Sequence, residues 1–230
     1  MAPVSSLARA GRLLETAVAA LVIVLTVVGG SLWLVASPAY VHLLVRAVGS
    51  AGSTGLGEAV TLEVAEDVRR FVVDPGAPDL PAAIDGEPAF DEAAVAHLVD
   101  VRDVMVPARW LTLGLLAGVA AWALVRRRTP AGRHALARAS TTASAIMLGG
   151  AALALVTGAI DFDGLFTWFH SLFFAEGTWV FPYGALLIRV FPLPFWVAAG
   201  ATWGVLVLGF AAGLCLFARR TRFTAGTYGV

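Results

Sequence analysis

Residues 16–36 read TAVAALVIVLTVVGGSLWLVA, 21 consecutive positions without a charge. About 20 apolar residues of helix cross the hydrocarbon of a bilayer, and a run this long exceeds the usual strand or core helix of a soluble domain. Three more apolar runs follow at 106–125, 139–160 and 193–218, the first of them with Arg109 near its start. Composition agrees, with 59% of the 230 residues hydrophobic and 14% charged, where a soluble domain has about 45–50% and about 25%. The expectation is an all-α integral membrane protein, a four-transmembrane-helix bundle with a small helical extracytoplasmic cap. LVASPAY (34–40) offers small residues to a signal peptidase. The apolar core before it exceeds the ~7–15 residues of a signal h-region, so an uncleaved anchor is expected.

The formal net charge is zero, with 16 basic and 16 acidic residues, and every basic residue is Arg. The two signs are segregated along the chain. Segments 1–15, 126–138 and 219–230 carry 10 Arg and one acid, Glu15, whereas 37–105 and 161–192, with the helix-edge Arg109, hold six Arg and 15 acids. Arg clusters close to membrane spans stay on the cytoplasmic side. Both termini and the 126–138 loop are therefore expected in the cytoplasm of a multi-pass plasma-membrane protein, and the two long connections outside. With one cysteine, Cys215, no internal disulfide or cysteine-built metal site can form. The low charge argues against nucleic acid as a partner.

The outer segment 37–105 has helical signals. Val60, Val64, Val68 and Phe71 recur at helical spacing, which predicts a helix over 57–71. Residues 72–88 hold Pro75, Pro78, Pro81 and Pro88 and read as a loop. A second helix is expected over 90–105, with Asp91 and Glu92 in its first turn, where the helix dipole favours acid, and Pro107 as the joint to the second span. The segment is too short for a large independent core and is expected to pack onto the membrane helices.

The outer segment 161–192 and the helix start after it concentrate the aromatics, 12 of the chain's 23, mostly Phe. Trp and Tyr favour the headgroup level, but Phe prefers hydrocarbon, so 162–175 reads as a short interfacial helix. Simple anchoring would account for it, as would an apolar slot for acyl chains lined by Phe166, Phe169, Phe173, Phe174 and Trp179. His170 sits among these rings at helical spacing, where burial favours the neutral imidazole, a competent general base. His97 lies on the other outer segment, with Asp100 three positions on and Asp103 a turn further. A carboxylate there could fix the histidine's tautomer and stabilise its cation.

His97, His170 and Asp100 could in principle hold zinc or iron. No HExxH motif or cysteine ligand accompanies them, so neither a metal nor another cofactor is expected. Glu176 could orient His170 but reads more simply as a cap or loop acid. Between their Arg-flanked ends the four runs contain no acid and no His, which disfavours a transporter or channel. Gly114 and Gly118, Gly200 and Gly204, and Gly209 and Gly213 are spaced as GxxxG, and Gly150, Ala154 and Gly158 form a small-residue stripe. Such spacing predicts close helix packing.

FDEAAVAHLVDVRDV (90–104) and WFHSLFF (168–174), followed by Trp179 and Phe181, resemble the bacterial lipoprotein intramolecular transacylases, a family of four-span membrane proteins. The similarity extends over nearly the whole chain in topology and is specific in these two blocks. It implies that His97 and His170 form a catalytic dyad on the outer face. The implied reaction moves the sn-2 acyl chain of a diacylglyceryl-cysteine lipoprotein to that cysteine's own α-amino group, with no cofactor. In this reading one histidine is the base, and the other, assisted by Asp100, donates a proton or stabilises the oxyanion. A lipid hydrolase using the same two histidines and a non-enzymatic envelope scaffold remain the alternatives. The scaffold would leave the two rings more than about 10 Å apart, beyond direct or water-bridged cooperation.

Overall fold

The computed structural model describes residues 3–84 and 86–226. The extreme ends expected in the cytoplasm, with the side chain of Arg222, and Asp85 in the Pro-containing loop lie outside the described residues. The helices are α1 (Pro3–Val35), α2 (Pro38–Ala47), α3 (Ser50–Thr54), α4 (Glu58–Val73), α5 (Glu92–Arg126), α6 (Pro130–Ile160), α7 (Phe162–Ser171), α8 (Leu186–Val190) and α9 (Leu193–Gly226). A small antiparallel hairpin, β1 (Ala83–Ile84) with β2 (Glu87–Pro88), interrupts the expected loop.

Four of these helices are long and apolar enough to cross a membrane. No more than 22% of any of their apolar windows is buried within the protein. That is expected where lipid is the solvent. Hydroxyls in the spans return to their own backbone, Thr26 Oγ1 donating to the Val22 carbonyl and Ser31 Oγ to the Val27 carbonyl, each at 2.7 Å, since hydrocarbon offers no partner.

The expected joint at Pro107 is absent, and α5 runs unbroken through it. Proline removes one backbone donor, here opposite the carbonyl of Asp103, a loss a membrane helix can accommodate. At 1.5 Å per residue, the 35 residues of α5 span about 52 Å. The acidic 92–105 portion thus extends beyond the apolar 106–125 segment that spans the membrane.

The chain divides into two compact units, residues 1–31, 111–153 and 204–230, and residues 32–110 and 154–203. In the first, α6 buries Leu136, Ser140, Ala143, Ser144 and Met147, a stripe at three- and four-residue spacing. The expected close approach is absent at most of the spaced glycines, although a Cβ at Gly158 would lie 3.1 Å from Leu165 Cδ2. A Cβ at Gly114, Gly118, Gly150, Gly209 or Gly213 would meet nothing within 4 Å. Gly29, outside any such pair, does require the missing side chain, because a Cβ there would lie 2.4 Å from Thr112 Oγ1. Spacing marks where small residues recur, and neighbouring side chains decide which of them matter.

The second unit has a core to which the outer segment contributes by packing on other helices, as its length led one to expect. Val41, Leu44 and Val45 of α2, Val64, Ala65, Val68 and Phe71 of α4, Ala94 and Leu98 of α5, and Leu187 and Val190 of α8 pack with Phe191, Phe195 and Ala199. The two outer segments are pooled in this core, which neither could form alone. Polar ties fix its edges: Ser50 Oγ donates to the Val190 carbonyl at 2.8 Å, and Tyr40 Oη bonds Thr202 Oγ1 at 2.8 Å.

Candidate functional site

The second unit brings His97 and His170 together. His97 follows Ala94 and precedes Leu98 on the buried face of α5, so the packing that seats α5 in the core also places the imidazole. The start of α5 is fixed by Asp91, whose Oδ1 accepts the Ala94 N–H at 2.7 Å. His170 lies in the last turn of α7. That helix is capped by Asp161, whose side chain accepts the Gly164 N–H at 2.9 Å. The two imidazoles are stacked, with centroids 6.3 Å apart and planes 29° from parallel.

Aromatic rings enclose the pair. Phe166 lies 3.9 Å and Trp179 4.9 Å from His170 by centroid, and Phe174 lies beside both histidines, 5.8 Å from His170 and 5.1 Å from His97. Phe169 meets the His170 ring edge-on at 5.7 Å. Phe173 packs on Phe169 and Phe174 and is exposed, a second layer. Phe181 reaches His97 at 5.5 Å. It stands among the outer aromatics in the sequence, but no spacing rule joins position 181 to position 97. Trp196 extends the aromatic wall through Phe166 at 6.1 Å.

The hydrogen bonds differentiate the two histidines. His170 Nδ1 lies 2.8 Å from the carbonyl oxygen of Phe166. A carbonyl can only accept, so the proton resides on Nδ1 and the lone pair on Nε2. The orienting group is thus a backbone carbonyl one turn back. His97 Nδ1 is buried with no partner among the described residues, as is the indole N–H of Trp179. Orphaned polar atoms inside a protein are rare, and here two of them belong to rings that flank His170.

Burial lowers the pKa of both imidazoles. For His97 the desolvation is reinforced by His170 and opposed by the charge of Asp100. For His170 the desolvation is opposed by the Phe166 carbonyl. Both rings are therefore favoured in the neutral form. Asp100 lies on the exposed surface of α5, and among the described residues it makes no hydrogen bond to His97. It acts through its field. Asp103 and Glu176 are exposed as well. No group of three or more His, Cys, Asp or Glu side chains that could hold a metal occurs among the described residues.

Away from the histidines, ion pairs brace the unit. Glu66 holds Arg69 through two hydrogen bonds of 2.8 and 2.7 Å. The Arg69 bond keeps the Glu66 carboxyl below its usual range, and Glu66 in turn raises the guanidinium. Arg109 donates to Asp74 at 2.8 Å and to the Val73 carbonyl at 3.1 Å.

The family model described as lipoprotein intramolecular transacylase Lit matches residues 16–196. The chain belongs to this family. Both histidines and the aromatic enclosure fall inside the matched range. Among solved structures, the membrane integral lipoprotein intramolecular transacylase Lit from Bacillus cereus is similar at a TM-score of 0.77 and 16% identity, covering 94% of this chain and 98% of that one. Forms of the Bacillus cereus protein with one histidine changed to arginine or to alanine each align at a TM-score of 0.73. Their identities are 17% and 15%, over 97% and 96% of this chain and 98% of theirs. At such identities the likeness shows the fold. No curated protein matches the chain. The protein is accordingly a multi-pass membrane enzyme of the Lit family of lipoprotein intramolecular transacylases.

Proposed function

We propose that His97 and His170 carry out the transacylation, moving an ester-linked acyl chain of a diacylglyceryl-cysteine lipoprotein to the α-amino group of the same cysteine. The observation that carries this reading is the stacking of two histidines, from distant parts of the chain, inside an aromatic enclosure. A free α-amino group has a pKa of about 8 and is mostly protonated at neutral pH, so attack on an ester needs a base. His170 Nε2 has the required lone pair, held in position by the Phe166 carbonyl. The amine nitrogen bonds to the acyl carbon as its proton passes to Nε2. Collapse of the tetrahedral intermediate breaks the bond from the acyl carbon to the glyceryl oxygen, and that oxygen takes up a proton from an imidazolium. From the neutral amine, an ester becomes an amide and an alcohol with no net change in protons, and an amine that arrives as ammonium first gives up one further proton to solvent.

Donor and acceptor belong to one bound molecule, so effective molarity supplies much of the acceleration and no cofactor is required. His97, and the Trp179 N–H that has no partner among the described residues, are the groups suited to the developing oxyanion. Phe166, Phe169, Phe173 and Phe174 would hold the acyl chains and keep water away, which favours aminolysis over hydrolysis. Asp100 supports His97 electrostatically. The segregation of Arg from acid along the chain supports placing the histidines on the extracytoplasmic face, where diacylglyceryl lipoproteins are presented.

The test is intact-mass and fragment analysis of lipoprotein N-terminal peptides from cells making the protein or its variants. The wild type is expected to move one acyl chain to the amine without changing total mass, and His170→Ala and His97→Ala to reduce this at least 100-fold. Loss of a whole acyl chain would indicate the hydrolase instead. Transfer that survives both substitutions would rule out the dyad.

A further inference from the structure

At the opposite end of the charge pattern, in the first unit, a cleft of about 380 Å³ is lined by Arg9, Arg12, Leu13 and Thr16 of α1 and by Arg138, Thr141 and Thr142 of α6. The α1 residues share one face at three- and four-residue spacing, as do those of α6. Three guanidiniums converge on this cleft, and no carboxylate lines it. Elsewhere Arg46, Arg69 and Arg109 each pair with an acid. Glu15, the one acid of this basic end, is taken by Arg126. Arg9, Arg12 and Arg138 have no acidic partner among the described residues. The Thr16 and Thr141 hydroxyls donate to the carbonyls of Arg12 and Ala137 at 2.8 and 2.7 Å. The Thr16 oxygen remains able to accept.

We propose that this cleft binds the phosphate headgroup of an anionic phospholipid. The volume lies within the ~300–1,000 Å³ of small-ligand sites, and basic pockets between membrane helices suit acidic lipid headgroups. Guanidiniums bond two phosphate oxygens at once. The hydroxyl of Thr16 suits a headgroup with hydroxyls of its own, such as phosphoglycerol. A lipid is favoured over a soluble phosphate because of where the cleft sits. Thr16 begins the apolar run 16–36, Arg138 directly precedes the run 139–160, and Leu7, Leu13 and Leu14 along α1 are exposed. Acyl chains could continue from a bound phosphate along these apolar surfaces.

The test measures lipid retention by native mass spectrometry of the full-length protein in detergent, with dioleoyl phosphatidylglycerol, dioleoyl phosphatidylcholine or inorganic phosphate as probe. Phosphatidylglycerol should be retained in preference to phosphatidylcholine. Arg12→Gln with Arg138→Gln should weaken that retention by about 30-fold, at about tenfold or less per Arg removed. Arg127→Gln with Arg128→Gln makes the same charge change outside the cleft and should leave retention within about 3-fold. An equal loss in both pairs would overturn the proposal in favour of a diffuse basic surface. Equal retention of phosphatidylcholine would overturn it, as would displacement of the lipid by inorganic phosphate. Should the Gln pair fail to fold, Arg12→Lys with Arg138→Lys decides: weaker but preferential phosphatidylglycerol binding supports the cleft, and unchanged affinity overturns it, because Lys lacks the bidentate fork.

Discussion

His170 illustrates how much chemistry depends on a single backbone contact. Because its Nδ1 is committed to the Phe166 carbonyl, protonation at Nε2 creates an imidazolium in an apolar surrounding, and burial lowers the pKa that governs this step. A base must be neutral to act, so a lowered pKa moves the acidic limb of the rate profile below ~6.5, the ordinary histidine value. The substrate's α-amino group titrates near pH ~8 and adds its own limb to kcat/KM, so the check is the His170 ring itself, whose NMR titration midpoint in detergent is expected below ~6.5. A midpoint above that value would contradict the assignment of the base. Trp179 gives a separable prediction. Trp179→Phe keeps a ring beside His170 and removes only the N–H, so kcat is expected to fall by about 10–100-fold with KM nearly constant, at or below the loss of one oxyanion donor. A rise in KM alone would make the indole a wall of the acyl slot.

At the scale of elements, the chain anticipated helices better than their joints. The spacing of Val60, Val64, Val68 and Phe71 foretold α4, whose range is Glu58–Val73, and all four apolar runs fall on long helices. Pro107 was misleading because a membrane helix can lose one hydrogen bond without breaking. The glycine spacing misled in another way, since helix proximity is a property of two surfaces and the sequence displays one at a time. Gly29 supports no GxxxG argument but faces Thr112 Oγ1 at a distance no Cβ tolerates. Gly29→Ala is expected to destabilise by about 1–3 kcal/mol, read as a lower unfolding temperature in detergent. Adding Thr112→Ala should recover most of the loss, and an additive double variant would show that the two positions do not touch.

For the whole molecule, the zero net charge is the sum of a basic end and an acidic end, and the topology proposed from it can be checked directly. In a Cys215→Ser background, Asp79→Cys should react with a membrane-impermeant maleimide on intact cells. Arg133→Cys should react only after permeabilisation, and the reverse pattern would invert the protein and move the dyad to the cytoplasm. The two histidines also show where sequence reading ends at this scale. Each was a candidate from its local neighbours, His170 from the rings at helical spacing and His97 from the acids after it. Their meeting depends on a core in which α2, α4, α8 and parts of α5 and α9 pack together. Seventy-three positions separate them, and no local pattern encodes a contact at that range.

The sequence by itself determined the four apolar runs long enough to cross a membrane, which end is basic, and the local surroundings of the two histidines. These properties follow from composition and local period, which hydrocarbon reads segment by segment. Only the tertiary structure decided that the histidines stack, that a carbonyl rather than Glu176 orients His170, that Phe181 and not Phe173 reaches a histidine, and that Gly29 faces Thr112. Each of these depends on packing between segments far apart in the chain, and burial, orientation and the missing partners of polar atoms exist only once that packing has formed.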